Sequence, residues 1–216
     1  MSARLAHEVR NPVTSIGGLT RRLLKSFETS DPRTKKGKLI VGQMEKLEKI
    51  LKMMLAYIEP QLARLYHCDL NKVVTKAIES IEAEFQNRDF SVKPYLDEGL
   101  HEIKLDCDLF EKALISLMKN AFYRMRQKGE IKVATGRNGG YATVTLAYRV
   151  PLISDDDIEH FFYPFAVAYP FASGGPDRDI MDVPICKIVI HKHGGIINVI
   201  KEDDDLVKIN ISLPLE

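Results

Sequence analysis

The sequence predicts an all-α helical hairpin followed by an α+β sandwich, with the boundary after residue 66. Three observations predict this. Two opening stretches carry apolar residues at heptad spacing. From Cys68 the texture changes to short strands interleaved with amphipathic helices. Glycine, proline and Asx turns punctuate those elements at the expected places. With 216 residues, 45% apolar and 28% charged, the chain suffices for two small domains with real cores.

In the first helix, Leu5, Val9, Pro12, Ile16, Leu19 and Leu23 step by alternating fours and threes. In the second, Ile40, Met44, Leu47, Leu51, Met54 and Ile58 step the same way. Thr29-Ser30-Asp31-Pro32 reads as the turn between them, with Asp31-Pro32 a helix start. Two helices alone cannot bury both seams, so a dimeric four-helix bundle over residues 1–66 is expected. Glu59 to Tyr66 reads as the linker.

Asp69-Leu70-Asn71 caps a helix running to Glu84. Strands follow at 90–94 and 102–105, then a helix at 108–126 with Leu109, Ala113, Leu117 and Ala121 on one face. Strands at 130–135 and 141–148 are joined by the hairpin turn Arg137-Asn138-Gly139-Gly140. A short helix at 155–162 precedes a long loop at 166–180 containing Ser173-Gly174-Gly175-Pro176. A helix at 182–193 stops at Gly194-Gly195, and two strands, 196–201 and 206–213, flank an acidic turn.

No apolar run approaches 18 residues, so no membrane contact is expected in this segment. The chain begins inside a helical pattern without a leader, as an internal methionine of a longer protein would. Cys68, Cys107 and Cys186 are odd in number and form no CxxC, which predicts reduced thiols, no metal site and a cytoplasmic setting. Residues 1–66 hold 13 Lys and Arg against 6 Asp and Glu, and the remainder holds 18 against 24. A basic half beside an acidic half suggests an anionic partner for the hairpin. Nucleic acid is disfavoured, because no recognition helix or base-stacking aromatic cluster is present.

His7-Glu8-Val9-Arg10-Asn11-Pro12 is the sharpest local signal. His7 and Asn11 lie off the apolar seam, and the same stripe continues through Thr14 and Gly18, leaving a low surface for a partner. Imidazole is a good nucleophile at neutral pH, and Glu8 could orient the ring or take its proton. Pro12 frees the carbonyl of Glu8 and can kink the helix beside the site. HExxH zinc chemistry is excluded because position 11 is Asn. Taken alone, an exposed histidine on a helix is more often a solvated surface residue.

In this order of elements, the motif resembles the two-component sensor histidine kinases. Ala6 to Pro12 is similar to their H-box, Leu117-Met118-Lys119-Asn120-Ala121 to an N-box, and Phe162-Tyr163-Pro164-Phe165 to an F-box. Ile188-Val189 through His193-Gly194-Gly195 is similar to the helix after their ATP lid. The resemblance implies a dimerisation and phosphotransfer domain over 1–66. It also implies a catalytic sandwich of the histidine-kinase ATPase (Bergerat, GHKL) type over 67–216. It implies His7 as phosphoacceptor, Glu8 assisting proton removal, Asn11 positioning water, and Asn120 at the magnesium position. Its partners would be a response-regulator receiver domain and a second copy of the chain.

The nucleotide motifs depart from that pattern. Tyr148-Arg149-Val150-Pro151-Leu152 stands where Asp-x-Gly-x-Gly is expected, so Tyr148 replaces the adenine-binding Asp. Val150 and Leu152 are expected to fill the space of the base. Ile180-Met181-Asp182-Val183 replaces the second glycine box, and Ser116 replaces an N-box Asn. A lost charged hydrogen bond costs about 1.5–3 kcal/mol. Lost phosphate approach and repulsion from Asp182 roughly double that, or about a hundred- to ten-thousand-fold in affinity. The leading expectation is phosphotransfer or dephosphorylation through His7, with Mg-ATP bound only if the divergent site still accepts it. The alternatives are an active ATP-dependent kinase with a divergent site and a non-catalytic pseudokinase scaffold.

Overall fold

A computed structural model describes residues 2–27, 31–58, 64–126, 128–151, 153–163 and 183–215. Within the first two helices, the side chains of residues 2–8, 10, 46, 49, 50 and 52–58 also lie outside the described residues. The chain divides into two compact units, Met1–Gln61 and Leu62–Glu216.

The first unit is an α-hairpin of α1 (Ser2–Lys25) and α2 (Pro32–Ile58). Pro32 opens α2 with its φ already helical, and Asp31 accepts the Arg33 backbone N–H at 2.8 Å. The helices meet through buried Val13, Gly17 and Leu51, with Met44 against them. Gly37 lets Leu24 lie directly on the α2 backbone, where a Cβ would come within 2.4 Å of Leu24 Cδ2.

One hairpin leaves most of the described heptad residues uncovered. The α1 face turned to α2 carries Val13 and Gly17, not the heptad residues. Val9, Ile16, Leu19 and Leu23 remain 39–57% exposed. On α2 the seam splits: Met44 and Leu51 face α1, while Ile40 and Leu47 are exposed. Each helix therefore has two adjacent apolar faces, of which the hairpin covers one.

The second unit is an α+β sandwich. Its elements run β1 (Tyr66–Cys68), α3 (Leu70–Glu84), β2 (Phe90–Tyr95), β3 (Ile103–Leu105), α4 (Cys107–Arg124), β4 (Gly129–Asn138), β5 (Tyr141–Arg149), α5 (Asp155–Glu159), α6 (Val183–Lys192), β6 (Ile196–Lys201) and β7 (Leu206–Pro214). The main sheet has the order β2-β4-β5-β7-β6, with β2 parallel to β4 and the other pairs antiparallel. Strict alternation buries Ala142, Val144, Leu146 and Tyr148 of β5 with Val207, Ile209, Ile211 and Leu213 of β7. They pack with the apolar faces of α3, α4 and α6 into one core. Each large side chain fully buried there contributes roughly 1.5–3 kcal/mol.

Asp69 caps α3 and Asp106 caps α4, each accepting a backbone N–H of the first turn at 3.1 Å. Gly194 ends α6 at φ +70, and Gly195 passes so close to β7 that a Cβ would lie 2.7 Å from the Ser212 carbonyl oxygen.

Two features were not legible in the sequence. Tyr66, read as the end of the linker, opens a strand, Tyr66–Cys68, paired antiparallel with β3 in a separate two-stranded sheet. The expectation of three reduced cysteines is also overturned: Cys68 and Cys107 form a disulfide, and Cys186 is a buried thiol. Cys68 pairs with Ile103, the first residue of the short β3, and α4 begins four residues further on at Cys107. A separation of 39 residues hid that meeting.

Candidate functional site

The candidate residues fall on α1 in the first unit and on α4 and β5 in the second. In the first unit, α1 runs unbroken through Pro12. His7 and Asn11 are one helical turn apart, so the backbone places both on one face. The side chains of His7 and Glu8 lie outside the described residues, and that of Asn11 is exposed. Further along, the Thr14 hydroxyl donates to Glu48 Oε1 across the hairpin at 3.1 Å. A Cβ at Gly18 would meet nothing within 4 Å, so the surface beyond Asn11 stays low. Arg21, Arg22, Lys25, Lys35, Lys36 and Lys38 are exposed on the hairpin, and among the described residues Arg21 pairs with Glu45 at 3.0 Å.

In the second unit, Asn120 sits half-buried near the end of α4. Its Oδ1, the atom that would ligate a hard cation, accepts instead from Arg124 Nε at 2.9 Å. Arg124 is 8% exposed, and its guanidinium carbon lies 4.5 Å above the Phe161 ring. Behind it stands Asp157, in a reciprocal cap with Ser154: Ser154 Oγ accepts the Asp157 N–H, and Asp157 Oδ2 accepts the Ser154 N–H and hydroxyl. Burial alone would push the Asp157 carboxyl up. The Ser154 hydroxyl and N–H, with the Arg124 charge, hold it below the usual carboxylate range. A fixed organic cation thus occupies Asn120, and sequence reasoning missed it. The available signal was the four-residue spacing of Asn120 and Arg124, which puts both on one helix face.

Tyr148 is 1% exposed and points into the core from β5, and Ser116 is buried on α4. Val150 is buried as well, and its N–H donates to the Asp205 carbonyl at 2.7 Å. Lys119 is paired with Glu84 at 2.7 Å. Phe162 is half-buried, with Lys187 Nζ 5.3 Å from its ring centroid, and Tyr163 is exposed. His193 is buried, donating from Nδ1 to the Val189 carbonyl at 2.7 Å and accepting the Asp106 N–H at Nε2 at 3.0 Å. Leu152, Pro164, Phe165, Gly174, Gly175, Ile180, Met181 and Asp182 lie outside the described residues.

The model of the His Kinase A (phospho-acceptor) domain matches residues 1–61. Over its whole length the chain is 21% identical to the sensor histidine kinase ZraS of Escherichia coli K12, of which it covers 45%. Residues 1–61 thus match the phospho-acceptor domain of the histidine kinases, and the curated relatives similar to the chain over its whole length are sensor kinases. It spans about half the length of the curated relatives it matches. Among solved structures, histidine kinase ThkA in complex with response regulator TrrA superposes with a TM-score of 0.64 at 24% identity, covering 100% of this chain and 61% of ThkA. Full-length ShkA in complex with AMPPNP gives a TM-score of 0.65 at 16% identity, covering 99% of this chain and 45% of ShkA. The two-part architecture, helical hairpin then sandwich, is that of the histidine kinases. The phosphoacceptor-domain match lies on the hairpin, where His7, Glu8 and Asn11 stand.

Proposed function

We propose that this histidine kinase-family chain exchanges a phosphoryl group between His7 and a receiver-domain aspartate, with Mg-ATP binding weak or lost. The observation that carries the reading is a contrast. The His-Glu-x-x-Asn-Pro motif is intact on α1, while Tyr148, Val150 and Asp182 stand where the family pattern has Asp, Gly and Gly. Asn120 Oδ1 is committed to Arg124, and the side chains of Tyr148 and Val150 are buried in the sandwich core.

In the transfer, the phosphorus–oxygen bond of the aspartyl phosphate breaks and a phosphorus–nitrogen bond forms on the His7 imidazole. The aspartate leaves as its carboxylate, and the imidazole proton passes to Glu8. Asn11, one turn away, positions the water that hydrolyses a partner's phosphoryl group. The acyl phosphate is a high-energy donor, so the chain supplies placement and the receiver supplies the magnesium. The basic hairpin surface favours an acidic partner pocket. A second copy of the chain would cover the exposed Val9, Ile16, Leu19, Leu23, Ile40 and Leu47.

The test is to mix the chain with phosphorylated candidate receivers and follow the label. His7 should become labelled without ATP, and His7→Ala should abolish labelling. Tight binding of a receiver with no exchange of label would replace this reading with that of a scaffold.

A further inference from the structure

Cys68 and Cys107 join the short strand β1 to the start of α4. β1 has three residues and pairs only with β3, itself three residues long. Two-stranded ladders of that length are marginal in water. Outside the ladder, the described polar tie of this segment is the Arg64 N–H donating to Asp106 Oδ2 at 3.1 Å. The disulfide fastens β1 to the first residue of α4, the helix that carries Asn120 and Arg124. Both redox states are accommodated. The Cα atoms are 6.4 Å apart, inside the range a disulfide spans. A reduced Cys68 thiol would find the Leu105 carbonyl oxygen 3.3 Å from its sulfur, so it need not be left without an acceptor.

We propose that Cys68–Cys107 is a reversible redox clamp that exchanges with small-molecule thiols and disulfides and sets how firmly β1 is held to the sandwich. Cys68 is 4% exposed whereas Cys107 is half-buried, so exchange enters at Cys107. On oxidation the Cys107 thiolate attacks a small disulfide, expels one small thiol and forms a mixed disulfide. Cys68 then attacks the Cys107 sulfur and expels the second thiol. The two cysteines lose two electrons and two protons, and the small disulfide gains them. Reduction runs the same steps backwards. In reducing surroundings the pair rests as two thiols, and oxidation closes it. With the clamp open, residues 64–68 can leave the sandwich and lengthen the connection by up to roughly 17 Å of extended chain.

The clamp does not depend on the chemistry assigned to His7, and its test reads thiols and amide exchange. The full chain is equilibrated with reduced or oxidised glutathione, then denatured and alkylated. Three thiols should react after reduction and one, Cys186, after oxidation. Hydrogen exchange of a peptide spanning Tyr66–Cys68 should be about tenfold or more faster in the reduced chain. Cys107→Ser and Cys107→Ala, which spare the buried Cys68, should behave as the reduced wild type in both buffers. Three reactive thiols after oxidation would overturn the clamp, as would a disulfide between chains. So would identical exchange at Tyr66–Cys68 in the oxidised, reduced and variant proteins.

Discussion

Removing the Arg124 guanidinium takes away a charged hydrogen bond and a cation stacked on Phe161 at once. Arg124→Ala should therefore lower the unfolding free energy of the sandwich by about 1.5–3 kcal/mol in urea titrations. Arg124→Lys should recover little, because an ammonium cannot stack flat and also present a fixed Nε–H to Asn120. On the hairpin, Glu8→Ala should slow phosphoryl exchange about 10²-fold, within the range of a removed proton acceptor. Asn11→Ala should spare transfer and impair hydrolysis, which a time course of receiver dephosphorylation separates. The two sets of residues differed in legibility for a physical reason. His7, Glu8 and Asn11 form a contiguous motif whose helical spacing alone puts His7 and Asn11 on one face. Asn120 was legible as a position but not in its state, because its partner Arg124 gains meaning only once Phe161 and Asp157 close over it.

Helix caps tie two elements to pH. The Lys72 backbone N–H holds the Asp69 carboxyl below the usual carboxylate range, and the Ser154 cap does the same for Asp157 against the opposing pull of burial. Both folded values lie below the unfolded ones. Their stabilisation is therefore present above the unfolded carboxylate value near 4 and lost as pH falls through the folded values. Thermal unfolding should show no dependence on these caps between pH 5 and 8. Asp69→Asn should lose less stability than wild type on acidification below about pH 4. The α6–β6 corner gives a sharper test. Gly195→Ala places a Cβ against the Ser212 carbonyl oxygen and should cost about 1–3 kcal/mol, measured by chemical denaturation. Elements with local signals were readable: the Asp69 cap, the Gly139 turn and the glycine stop at Gly194. β1 was not, because three residues carry no periodicity and become a strand only by pairing with β3.

The exposed apolar faces of the hairpin bear on assembly. Light scattering at micromolar concentration should give a dimer, and Ile16→Asp or Leu19→Asp should divide it, since burying an unpaired charge costs several kcal/mol. Leu51 would be the wrong residue to change, because it already packs against α1 within one hairpin. Calorimetry with Mg-ATP should show no binding in the low micromolar range. A dissociation constant there would favour an active kinase with a divergent site. The two-part architecture followed from the switch between heptad spacing and mixed strand and helix texture. The order of the sheet did not, because strand order is set by long-range pairing that no local window contains. That order constrains how the sandwich can be made. β7, last in sequence, lies between β5 and β6. During synthesis the ribosome delivers β5 long before its neighbour exists, and β6 emerges with no strand to join. Until residues 206–214 arrive, the β5 edge that will take β7 is bare and β6 has no partner strand, so the unfinished sheet offers open edges to other chains.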